Sequence, residues 1–194
     1  AVEQAHQRGL ELLAWFNPFR ARYRGAKSSA AKSHITRSHP ELIRRYGQFL
    51  WLDPGEPAVQ AHTQAVILDV VKRFDIDGVH LDDYFYPYPE KDPSGKLPPF
   101  PDDASWGRYR AGGGKLNRAD WRRKNVDDFV QTIYRKIKSE KSGVKFGLSP
   151  FGIWRPGYPK PVRGLDAFDT LNADSRKWMM NGWHKAIDQM QILA

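Results

Sequence analysis

Short apolar runs and amphipathic stretches alternate along the chain. Leu10 to Phe16 is largely apolar and follows Gly9, a usual helix-ending residue, so it reads as a buried strand. Gln48 to Leu52 forms a second such run, and Asp53-Pro54-Gly55-Glu56-Pro57 ends it with prolines that suit the first turn of a helix. Val59, Val66, Ile67, Val70, Val71 and Phe74 then fall on one helical face. Gly78 to Asp83 is the third predicted strand. Asn117 or Asp120 can cap a second helix whose apolar face is Val126, Phe129, Val130, Ile133 and Ile137, with a basic last turn from Lys136 to Lys141. Val144 to Gly152 supplies a fourth strand, and Phe168 to Asp174 a short fifth. Ala1 to Arg8 reads as the second half of a helix, which is the pattern of a fragment of a longer polypeptide.

Strands that alternate with amphipathic helices pair in parallel through right-handed crossovers, so the expected class is α/β in a single domain over residues 1–194. In such folds functional groups gather at the carboxyl ends of the strands. Two stretches lack periodicity. Ala21 to Pro40 reads as a solvated or substrate-contacting loop, and Tyr84 to Gly114 as a long insertion whose three glycines, Gly112 to Gly114, lack the spacing of a phosphate loop.

Composition narrows the chemistry. The absence of cysteine excludes disulfides, thiolate nucleophiles and Cys-held metals. The balance of 31 basic against 22 acidic residues, net +9, favours an anionic partner, while no basic stripe or recognition motif supports nucleic acid. No run approaches the roughly 20 apolar residues of a membrane-spanning helix. No motif calls for a cofactor.

The chemistry concentrates between Phe74 and Pro89, where Asp82 and Asp83 meet Tyr84, Phe85, Tyr86 and Tyr88. Alternation along a strand puts His80 and Asp82 on one face and Val79, Leu81 and Asp83 on the other, making Asp82 the inward carboxylate. Asp83 would turn into the mouth or bond local amides. Adjacent aspartates on one strand are poorly placed to flank a sugar bond. The better partner is Asp174, which an extended segment would align with Asn172 and Arg176, the guanidinium favouring its ionised form. Two carboxylates from different strand ends suit glycoside hydrolysis, one protonating the leaving oxygen and the other acting as base or nucleophile. Asn17, Arg20, His80, Tyr84, Tyr86, Ser149, Phe151, Trp154, Arg176 and Trp178 are the candidate substrate contacts. A metal-dependent hydrolase using His80 and Asp82 is an alternative, against which His80 and Asp83 point to opposite faces; no metal is assigned.

Five blocks resemble the signature of the glycosyl hydrolase-like 10 family: Leu13 to Arg20, Trp51 to Gly55, Asp77 to Pro87, Gly147 to Arg155 and Ala173 to Trp178. The resemblance implies a (β/α)8 TIM barrel, glycosidase activity on a bacterial cell-wall glycan, in particular peptidoglycan strands, and a place in the cell envelope or outside the cell, in some members as a lipoprotein. It maps the family's acidic strand ends onto Asp82, Asp83 and Asp174. The family's first two strands and its last strands have no counterpart, and the segment from His184 to Ala194 departs from the family pattern, so an incomplete barrel is expected. A non-catalytic, glycan-binding or truncated barrel is the competing reading.

Overall fold

The computed structural model describes residues 1–180 and the backbone of Gln189–Met190. The departure expected from His184 onward therefore lies outside the described residues, apart from those two backbone positions.

A parallel sheet in the order β1-β5-β6-β7 organises the molecule, with β1 at Leu13–Phe16, β5 at Gly78–Leu81, β6 at Lys145–Leu148 and β7 at Gln189–Met190. Two long helices make the crossovers between β1, β5 and β6, as the alternating pattern predicts. The first, α3, runs over Pro57–Arg73 with proline in its first turn, and buries Val59, Ile67 and Val71 completely. Val66 and Phe74, placed on the same face by spacing alone, are exposed. The second, α5, covers Arg118–Glu140; the Asn117 side chain caps it by accepting the Asp120 amide at 2.8 Å. Its predicted face of Val126, Phe129, Val130, Ile133 and Ile137 is buried. A short α1 at Val2–His6 precedes them, and Gly9 follows it at φ +68°, a left-handed conformation that glycine adopts without a Cβ penalty.

The chain departs from the simple β/α reading in four places. Gln48 to Leu52 does not join the parallel sheet. Its β4 (Phe49–Leu52) lies between β2 (Arg20–Tyr23) and β3 (Ile43–Tyr46) in a separate antiparallel sheet. The stretch from Ala21 to Pro40 therefore contributes strand as well as loop, with a one-turn α2 at Ile35–Ser38. Within the insertion after Tyr84, Asp103–Ala111 forms α4. Finally, Phe168 to Asp174 is not a strand: Ala167–Thr170 is the helical turn α6, capped by the Asp166 side chain accepting from the Asp169 amide, and Asn172 takes a left-handed φ of 54°. Short local side-chain bonds outcompete an extended ladder there. The fourth parallel strand is instead β7.

Because β4 belongs to the second sheet, Asp53 at its end is not a mouth residue. It is fully buried, accepting from Ser105 Oγ at 2.6 Å and from the Gly55 amide at 2.8 Å. Asp102, also fully buried, pairs with Arg118 and, at 2.6 Å, with Arg122. These two carboxylates fasten the insertion to the antiparallel sheet and to α5: the charge of Asp102 is compensated by its two arginines, whereas Asp53 is held by neutral donors with Arg44 Nε 3.9 Å away.

Candidate active site

Register decides which side of the parallel sheet is available. Side by side, Ala14, Val79 and Phe146 pair, as do Phe16, Leu81 and Leu148. Their face packs on the helices: Val79, Leu81, Phe146 and Leu148 are fully buried in one cluster with Ile67, Val71, Phe129 and Ile133. The opposite face carries Trp15, His80 and Gly147 in register, with Trp15 54% exposed and His80 half-buried. The inward face predicted for His80 is thus the face opposite this helix-packed core.

One position beyond the last paired residues stand Asn17, Asp82 and Ser149, side by side at the carboxyl edge and on the Trp15–His80 side by alternation. The backbone ladder reaches this line, since the Ser149 amide donates to the Leu81 carbonyl at 2.9 Å. His80 Nε2 and Ser149 Oγ are 2.7 Å apart, and burial pushes the imidazole pKa down, favouring the neutral ring. Both amide atoms of Asn17 are buried without a hydrogen-bond partner among the described residues.

Asp82 is 8% exposed and accepts the Tyr84 amide at 3.1 Å. Burial raises its pKa first of all; the Tyr84 amide opposes, the charge of Asp83 raises it further, and Arg20 lowers it. Arg20 is positioned for this by two rings, its guanidinium 5.1 Å from the centre of Phe49 and 5.0 Å from that of Tyr84. Asp83, 3% exposed, takes the hydroxyl of Tyr88; its pKa too is raised by burial, against that hydrogen bond. Tyr88 in turn packs at a tilt against Tyr84, with ring centres 5.4 Å apart, and meets Phe151 edge-on at 6.3 Å. Tyr88 reads in the sequence only as one more aromatic. What marks it is its place five residues after Asp83.

Phe151 leads to a neighbouring cleft of about 460 Å³, lined also by Trp154, Tyr158, Ser175, Arg176 and Met179. Trp154 meets Tyr158 edge-on at 5.7 Å, and the Arg176 guanidinium lies 5.0 Å from the Trp154 ring centre. Tyr158, 63% exposed, is a wall residue that sequence reasoning missed.

Three predicted site residues stand elsewhere. Asp174 is not extended alongside Arg176. It precedes the helix α7 (Ser175–Met180), and its Oδ1 accepts the Lys177 amide at 3.1 Å and the Trp154 indole N–H at 2.9 Å. The expected Asp174–Arg176 pair is absent among the described residues because a helical start, unlike a strand, separates positions two apart. Tyr86 and Trp178 cannot be sugar platforms: they are 1% and 0% exposed. Tyr86 Oη accepts weakly from Asn125 Nδ2 at 3.5 Å, and Trp178 Nε1 donates to Asp127 at 2.7 Å while its ring packs on Phe85. Internal partners for the polar ends of these rings let the core take them.

Among the described residues no three His, Asp or Glu side chains converge to hold a metal ion. The metal-dependent alternative therefore lacks a ligand set there, and His80 is engaged by Ser149 instead. No helix among them is long and apolar enough to cross a membrane.

Comparison with known proteins agrees with the family blocks. The chain is 40% identical over 190 residues to glycosyl hydrolase YngK of Bacillus subtilis, covering 93% of this chain and 36% of that protein. It is 36% identical over 194 residues to glycosyl hydrolase DigH of Escherichia coli K12, covering 93% of this chain and 42% of that protein. It thus spans about two fifths of the length of these relatives. Among solved structures, α-L-fucosidase isoenzyme 2 from Paenibacillus thiaminolyticus superposes with a TM-score of 0.50 at 13% identity, over 79% of this chain and 22% of that one, a likeness of fold alone. The family model for glycosyl hydrolase-like 10 matches residues 1–192, and the chain belongs to that family.

Proposed function

We propose that this chain carries strand-end chemistry of a glycoside hydrolase acting on a bacterial cell-wall glycan, with peptidoglycan strands as the substrate, on consecutive β/α units of a (β/α)8 barrel. The observation that carries the reading is the line Asn17, Asp82, Ser149 at the carboxyl edge, with Asp82 in surroundings that favour its protonated form. A carboxyl group whose pKa is raised above the ordinary range is what a glycosidase uses to protonate the leaving oxygen. In this reading Asp82 is the proton donor, Asp83 raises its pKa, and Arg20 limits that rise. Ser149, held by His80, and the amide of Asn17 flank it as substrate contacts, with Tyr84 beside Arg20. The net +9 charge suits an acidic glycan, and the substrate places the working protein in the cell envelope or outside the cell. The experiment is cleavage of purified glycan strands by the protein and by Asp82→Asn: the substitution abolishes turnover, and equal turnover by both would reject the assignment.

One observation favours a second reading, a glycan-binding barrel. The aromatic cleft does not include Asp82 or Asp83, and Asp174 is engaged as a helix cap and indole acceptor. Binding of strands with no product formed by the wild-type protein supports that reading, and turnover ends it.

A further inference from the structure

We infer that the cleft between the loop after β6 and α7 is a subsite for a sugar ring bearing a carboxylate, and that Arg176 is the residue that reads the charge. The inference rests on the glycan reading above and adds which sugar the cleft selects.

The walls are those of a sugar site. Phe151, Trp154 and Tyr158 present ring faces and edges around about 460 Å³, enough for one or two pyranose rings. The indole is held from behind: its N–H is spent on Asp174 at 2.9 Å, so Trp154 offers the cleft a ring already fixed in orientation. Phe168 packs against it edge-on at 5.6 Å from another side. A fixed ring loses little freedom on binding, which is how a platform gains affinity.

The charge is the unusual part. Two other arginines of this region have carboxylates of their own, Arg123 pairing with Asp120 and Arg155 with Asp166 and Asp169, while Arg163 donates to the backbone carbonyls of Lys160 and Val162. Arg176 lines the cleft, is exposed, and forms no ion pair among the described residues, with its guanidinium centred 5.0 Å from the indole. The nearest acidic group in sequence, Asp174, aims Oδ1 at the indole edge and the Lys177 amide. A guanidinium resting on a ring keeps its in-plane N–H fork free, and that fork matches a carboxylate. Neutral sugars need no such cation. A ring stacked on Trp154 with a carboxylate on its rim would satisfy both the indole and the fork.

Two sugar chemistries carry such a group: a lactyl ether on an acetamido sugar, as in muramic acid, and a uronic acid. Calorimetric titration of the protein with a tetrasaccharide of alternating acetamido sugars bearing lactyl carboxylates, with the same tetrasaccharide reduced to the alcohol, and with a uronic acid tetramer separates them. Wild-type protein binds the carboxylate form about tenfold tighter than its reduced form. Arg176→Gln brings that ratio to about one without weakening the reduced form, and Arg176→Lys retains part of it. Because Arg176 is exposed, an unchanged melting temperature confirms that the variant is folded. The same Arg176-dependent preference for the uronic acid tetramer assigns the charge reading to that source instead. Equal affinity for the acid and alcohol forms, or a ratio that survives Arg176→Gln, overturns the inference. These titrations need no turnover, so a protein that binds but does not cleave would contradict the hydrolase reading and leave the subsite standing.

Discussion

The carboxylate of Asp174 holds the indole N–H of Trp154 at 2.9 Å and, through the same oxygen, the first turn of α7. Both bonds need an oxygen acceptor and neither needs a charge, so Asp174→Asn and Asp174→Ala separate positioning from catalysis. As a positioning residue, Asp174→Asn keeps most of the glycan affinity and turnover. Asp174→Ala loses about 1 kcal/mol of stability with the cap and weakens binding through a loosened ring. Turnover lost in Asp174→Asn with affinity intact would instead give Asp174 the second carboxylate's role. Parallel measurement of melting temperature, KM and kcat on the two variants decides it.

Asp82 titrates under opposing charges, and the pH profile responds to each with a fixed sign. Asp83 raises the pKa of Asp82 and Arg20 lowers it. The alkaline limb of kcat/KM reports the group that must be protonated. Asp83→Asn therefore moves that limb to lower pH, and Arg20→Gln moves it to higher pH. Two shifts of the same sign would contradict this placement of the charges.

Stability follows the same groups. Asp53, Asp82 and Asp83 all have pKa values raised above the ordinary 3.8, chiefly by burial. An acid with a raised folded-state pKa binds more protons folded than unfolded in the interval between the two values. The stability it contributes is present below the unfolded pKa and declines as pH rises toward the folded one. Asp82→Asn removes this cost and stabilises the protein at neutral pH, on the order of 1 kcal/mol. Urea unfolding at pH 4 and pH 7 checks it: the gain appears at pH 7 and shrinks at pH 4.

Trp178 and Trp154 lie on two sides of the line between core and cleft. Trp178→Ala opens a cavity in the buried cluster and costs about 3–5 kcal/mol. Trp154→Ala leaves a folded protein whose glycan affinity falls roughly tenfold. Thermal melts with binding titrations on both variants test the division.

That division shows what the chain's pattern could and could not reveal. The parallel units were legible because α5 has a strict apolar face and because β5 and β6 are short apolar runs between breakers. The antiparallel sheet was not, because two of its strands, Arg20–Tyr23 and Ile43–Tyr46, are rich in arginine and show no clean alternation. Only the apolar β4 between them was visible, and a strand seen without its partners carries no direction. Asp82 and His80 could be placed from alternation alone. Tyr86 and Trp178 could not, since an aromatic near a strand end is core or platform according to whether its polar atom finds an internal acceptor or donor, here Asn125 and Asp127. Asp174 was misread for a similar reason: its partner is the indole twenty residues earlier, not the arginine two residues later.

The central claim, that Asp82 donates a proton to the leaving oxygen, is tested most directly by varying the leaving group. Activity of wild-type protein and Asp82→Asn is measured on unmodified glycan strands and on an aryl glycoside of the same sugar whose phenol leaves without protonation. A proton donor predicts a loss of at least 10²-fold on the strands and a much smaller loss on the aryl glycoside. Equal losses on both substrates, or none on either, would contradict it.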